Sequence, residues 1–243
     1  MLPRGVIFLR LWGFRFAGFH HNAPVPKWLK LIIALLLLPV CWGAGIALWR
    51  VVLATGKADT AWVAFGSGAA CWLVIYLLLP KPMLIYVFGH ELTHVLWAWA
   101  MGGRVRKFKA SSSGGQVVVT KTNFLIALAP YFFPLYAVLV VLVFLVLDHF
   151  WQWRWQIAWF HLLLGAAYMF HITLTANALK SQQSDITDQG YLFSSVVIYL
   201  GNIAVLLIGI PLVTGQGGVV GAFELWYEAT KECLLWIAEL ANR

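Results

Sequence analysis

Residues 83 to 101 read MLIYVFGHELTHVLWAWAM, set off by Pro80-Lys81-Pro82 before and Gly102-Gly103 after. A proline pair disfavours a continuing helix and paired glycines stop one, so the punctuation predicts one helical segment. At about 1.5 Å per residue such a helix approaches the roughly 30 Å depth of a bilayer's hydrocarbon core. Its middle holds His90, Glu91 and His94. A charged side chain at the bilayer centre costs about 2.5–3.5 kcal/mol on insertion scales, so this polar cluster inside an apolar helix marks a functional position.

The surroundings are equally apolar. Of the 243 residues, 62% are hydrophobic and 11% charged, against about 45–50% and about 25% in soluble domains. The bilayer is therefore the expected solvent. Besides the segment at 83–101, apolar spans are expected at 31–53, 61–79, 124–147, 155–176 and 191–213. The fold class predicted is an all-α membrane protein: a bundle of about six transmembrane helices, with two additions. RVRKFKASSSGGQVVVTKT, residues 104 to 122, alternates basic and apolar residues around Ser-Gly-Gly, which predicts a short β-hairpin. Residues 219 to 240 space Glu224, Glu228 and Glu232 by four, opposite Phe223 and Leu234, which predicts a surface-lying amphipathic helix.

The chain divides accordingly. Residues 1–30, with Arg4, Arg10 and Arg15 among aromatic and aliphatic residues, read as an interfacial segment and not a cleaved signal peptide. Two accessory helices cover 31–79, a core with its hairpin covers 80–200, and 201–243 completes the last span and the amphipathic helix. Cys41, Cys71 and Cys233 match no paired redox or metal spacing and are expected as free thiols. The formal charge of +8 points to anionic lipid at helix ends, not to nucleic acid.

On a helix, residues four apart share a face, so His90 and His94 present their imidazoles side by side with Glu91 adjacent. Two neutral imidazoles are good zinc ligands, and a carboxylate that does not bind the metal can take a proton from the attacking water. With seven His and five Glu in the chain, roughly 0.004 chance occurrences of HExxH are expected in random order. One Zn2+ per chain is predicted, with Glu91 as general base.

A catalytic zinc usually takes a third protein ligand. Asp59 and Asp148 fall in short loops and read as solvated turn residues. Asp185 and Asp188 sit in KSQQSDITDQG, beyond the fifth span and on the side reached by the end of the 83–101 helix. His161 and His171 lie inside the fifth span and read as packing or polar lining.

An HExxH in a membrane helix, a Gly-Gly stop, a polar hairpin and then APYFFP at 129–134 resemble the site-2 protease family of intramembrane zinc proteases. The likeness covers about residues 80 to 200. It implies an aspartate as third ligand after the third core helix. Asn177 and Asp185 match the family's Asn-to-Asp spacing, with Asp188, followed by Gln-Gly, as runner-up. The sequence lacks the family's prolines between them and the glycine directly after the aspartate. The resemblance further implies that Asn177 and the edge strand Gly114, Gly115, Gln116, Val117, Val118 and Val119 hold an extended transmembrane protein substrate. It implies a bacterial plasma membrane, with the hairpin and zinc site toward the cytosol.

Charge alone does not orient the chain. With six spans, the basic N-terminal tail and the basic hairpin would fall on opposite sides. A non-proteolytic membrane protein keeping the fold, and a zinc or proton transporter, are the competing readings. A transport path would need polar residues along several spans, and spans one, two and four offer almost none.

Overall fold

The computed structural model describes residues 15–18 and 25–242. The remaining residues of the expected interfacial segment lie outside the described residues. Within it, Arg15–Gly18 forms a strand, β1. Among the described residues ten α-helices and one 3-10 turn (Trp153–Gln156) follow, with a hairpin between the fourth and fifth α-helices.

The six apolar segments are all helical, and by length and composition three of them, or up to five with two bent pairs, are candidate crossings. α1 (Lys27–Leu36) and α2 (Leu38–Ala54) meet at a 45° bend, and α5 (Phe124–Phe132) and α6 (Leu135–Trp151) meet at 73°. α3 (Asp59–Leu78), α7 (Ile157–Ala178) and α9 (Tyr191–Thr214) are long and apolar enough to cross singly, giving three candidate spans, or up to five if each bent pair is one. α4 (Met83–Ala100) is not among them. Its histidines and glutamate lower its apolarity, and half its residues are buried against other elements instead of facing outward.

Pro134 supplies the reason for the sharper bend. It has no N–H, and Leu135 turns its own N–H to the Phe133 carbonyl at 2.9 Å, leaving the Tyr131 carbonyl without its helical partner. Asn202 of α9 donates to that carbonyl at 3.1 Å, so the break is stitched to a neighbouring helix.

Small residues set the helix contacts, as expected where apolar surface meets apolar solvent and close packing is the main attraction left. Gly68 of α3 lies against the Leu162 carbonyl of α7, and Gly165 of α7 against the Phe65 carbonyl of α3. Trp72 adds a hydrogen bond to Thr173 at 2.9 Å.

α10 (Val219–Ala241) is not a solitary surface helix. It packs along α2, burying Ala222 and Ala229, with Thr230 against Gly43, while Phe223 and Leu234 are exposed. Close approach selected the small residues over the bulky ones. The glutamates remain outside, and Glu232 pairs with Arg50 at 3.1 Å.

β2 (Val105–Ser111) and β3 (Gly114–Val119) form the expected antiparallel hairpin. The sheet has a third strand: β1 pairs with β3 in parallel, giving the order β1-β3-β2. Alternation along β3 aims Val117 and Val119 into a cluster with Val95 and Ala98 of α4 and Ile126 of α5. The hairpin thereby lies across α4.

Candidate metal centre

Four residues of α4 bring His90 and His94 to one side of the helix, with ring centroids 5.0 Å apart. α8 (Ser184–Thr187), a single turn between α7 and α9, delivers Asp185 to the same point. Its Oδ2 lies 3.5 Å from His90 Nε2 and 3.7 Å from His94 Nε2. His90, His94 and Asp185 are all buried, and they form a group that could hold a metal ion.

The donor set can be tested against zinc. Ligands on a tetrahedral ion with bonds of about 2.0–2.1 Å lie roughly 3.3–3.5 Å from one another, close to the two distances found. His94 Nδ1 is 2.8 Å from the Ile126 carbonyl. A carbonyl only accepts, so the proton sits on Nδ1, leaving the Nε2 lone pair of the neutral ring toward Asp185. Tyr131 donates its hydroxyl to Asp185 Oδ2 at 3.0 Å.

Glu91 stands beside this group and outside it. Its side chain is 2% exposed, and Oε2 has no hydrogen-bond partner among the described residues. An unpartnered buried carboxylate oxygen is costly. The hairpin covers it: Gly115 packs so closely that any Cβ there would overlap the Glu91 carboxylate. Gly115 is thus the strand position at which only a bare backbone fits.

Of the other sequence-derived candidates, Asp188 is exposed and lies outside the cluster. Asn177, on the last turn of α7, accepts a hydrogen bond from Lys81 at 2.9 Å. His161 is buried with Nε2 3.3 Å from the Val213 carbonyl. His171 shares with His90 and Tyr86 the wall of a chamber of about 20 Å³, room for a single water. Asp148 pairs with Arg154 at 3.2 Å. Sequence reasoning missed Tyr131, although it lies in the quoted APYFFP motif; a tyrosine amid apolar residues gives no local sign of a polar partner 54 residues away.

A cleft of about 540 Å³ runs between α7 and α9, lined among others by Tyr131, His171, Thr175, Ser194 and Asn202. Tyr131 therefore borders both this cleft and the Asp185 carboxylate. Comparison with family models, curated proteins and solved structures found no match to this chain.

Proposed function

We propose that this chain is an intramembrane zinc endopeptidase that cleaves transmembrane or membrane-proximal protein segments. The observation carrying the reading is the convergence of Asp185 on His90 and His94, with Glu91 next to the trio and not part of it. Two histidines and a carboxylate also suit ferrous iron. The free glutamate beside the cluster is what favours hydrolysis, since that chemistry needs a base near the metal and not bound to it.

In this reading His90, His94 and Asp185 hold the ion, which when bound acidifies a water molecule and polarises the substrate carbonyl. Glu91 takes the proton from the attacking water and passes it to the leaving amine. Tyr131 orients Asp185, and the His94 tautomer is held by Ile126. A helix locks every scissile amide in its own hydrogen bonds, so the substrate must unwind and lie extended. Gly114–Val119 is the central strand of the sheet and not the expected edge strand: the side of β3 away from β2, which carries main-chain partners of the kind that state needs, is paired with β1. The cleft between α7 and α9 reaches Tyr131, whose hydroxyl donates to Asp185, and so ends one side chain short of the cluster.

The orientation also becomes consistent. Only the bent α1–α2 pair and α3 separate β1 from α4 as candidate crossings. With the bent pair counted as one crossing and α4 as none, two crossings return the chain to the side it started from, in keeping with the pairing of β1 with β3 of the basic hairpin. Basic residues favour the cytosolic face.

The deciding experiment is metal analysis of the protein purified from membranes, with digestion of a transmembrane peptide library in proteoliposomes read by mass spectrometry. Zinc near one equivalent is expected, with cleavage abolished and metal retained in Glu91→Gln. Cleavage undiminished in Glu91→Gln, or iron in place of zinc, overturns the reading.

A further inference from the structure

The strand β3 has two neighbours, and only one belongs to the hairpin. On its other edge β1 runs parallel, with Arg15 opposite Gln116, Phe16 opposite Val117, Ala17 opposite Val118 and Gly18 opposite Val119. β1 also packs against α8. These two contacts locate it closely. β3 brings Gly115 onto Glu91, and α8 brings Asp185 to the histidines. A segment touching both β3 and α8 spans the two elements that deliver the base and the third ligand.

An unpaired strand edge is a row of main-chain donors and acceptors ready for an extended peptide. Here the row beside the candidate metal centre is already taken by the chain's own residues. We propose that the outer edge of β3 is a peptide-strand acceptor and that residues 15–18 are its resident occupant, so that an extended substrate gains the edge only by displacing β1. This rests on the peptidase reading for what the incoming peptide is. The strand exchange itself stands on the sheet register.

The exchange is physically reasonable. Four residues in a parallel ladder are a modest hold, and parallel pairing is slightly weaker per residue than antiparallel. A displacing strand restores the hydrogen bonds it breaks, so neither state leaves the edge unsatisfied. Because it is tethered, β1 competes at an effective concentration on the order of millimolar. A free peptide of similar intrinsic affinity is held off until its own concentration exceeds that value. One presented beside the site by its own membrane anchor is not.

The test uses the full chain and a labelled synthetic peptide with the sequence of residues 13 to 20. Proline has no N–H and is a poor member of a paired strand, so Phe16→Pro combined with Ala17→Pro removes two consecutive donors from β1. This variant is expected to bind the probe at least about tenfold more tightly than the unaltered protein by fluorescence anisotropy. Equal affinity overturns the proposal.

A second variant keeps the strand in place. Arg15→Cys with Gln116→Cys, in a background where the free thiols Cys41, Cys71 and Cys233 are replaced by serine, can be locked by oxidation and released by reductant. Probe binding should fall on oxidation and recover on reduction. Binding indifferent to the lock overturns the proposal even if the proline variant is misfolded. Probe binding requires no turnover, so absence of cleavage would count against the peptidase reading and leave this result standing.

Discussion

Gly115 lies against Glu91 so closely that no side chain fits between them, although the two sit in a strand and a helix joined through two glycines and a reversed hairpin. The hairpin is therefore the lid of the candidate site. The position of the buried carboxylate depends on what occupies residue 115.

Gly115→Ala is expected to push Glu91 aside. Overpacking of this kind costs about 1–3 kcal/mol, and a misplacement of about 1 Å of a reacting group about 100-fold in rate. Cleavage should fall by roughly that factor with zinc content unchanged, because the three ligands are not touched. Loss of zinc together with activity would mean that the hairpin supports the metal site itself.

Asp185→Ala should remove the metal, whereas Asp188→Ala should retain it, since Asp185 is buried against both histidines and Asp188 is exposed. Plasma emission analysis of the two purified variants checks this. Zinc surviving Asp185→Ala would show that the third ligand lies elsewhere.

Tyr131→Phe deletes the hydroxyl that donates to Asp185 Oδ2 at 3.0 Å. Partners that orient a metal ligand are worth about 10–100-fold in affinity. Competition with a chelating dye should show zinc affinity lower by such a factor, with thermal stability of the zinc-free protein nearly unchanged.

Chelation should both stop cleavage and lower the thermal midpoint. An ion that binds only the folded state at about 100 times its Kd contributes roughly 2.7 kcal/mol. Differential scanning fluorimetry in detergent, with zinc removed and then restored, measures it. A midpoint insensitive to zinc would argue that His90, His94 and Asp185 are not its binding site.

Gly165→Leu places a large side chain where the Phe65 carbonyl of α3 now lies. The α3–α7 contact has no room to yield, so the variant should lose several degrees of thermal stability in detergent, more than Gly209→Leu, whose Cβ position faces open space.

Part of this architecture is written locally. His90, Glu91 and His94 share one helix, and a period of 3.6 residues places them without reference to the rest of the chain. The β2–β3 hairpin follows from alternation around a glycine turn for the same reason. The count of crossings was less legible. Three helices are long and apolar enough to cross singly, or five spans with the bent pairs, while α4 falls short because its two histidines and glutamate lower its apolarity.

The choice between Asp185 and Asp188 belongs to the tertiary structure. They lie three positions apart, both follow the fifth span, and only the turn of α8 decides which one points at the histidines. Tyr131, Ile126 and the parallel pairing of β1 with β3 are likewise contacts between distant segments, and a residue's type does not announce a partner far along the chain. The sequence by itself determined the chemistry on α4, because the pentapeptide is a local pattern. Only the fold decided what completes that chemistry and what lies across its mouth, because both depend on how separate segments pack.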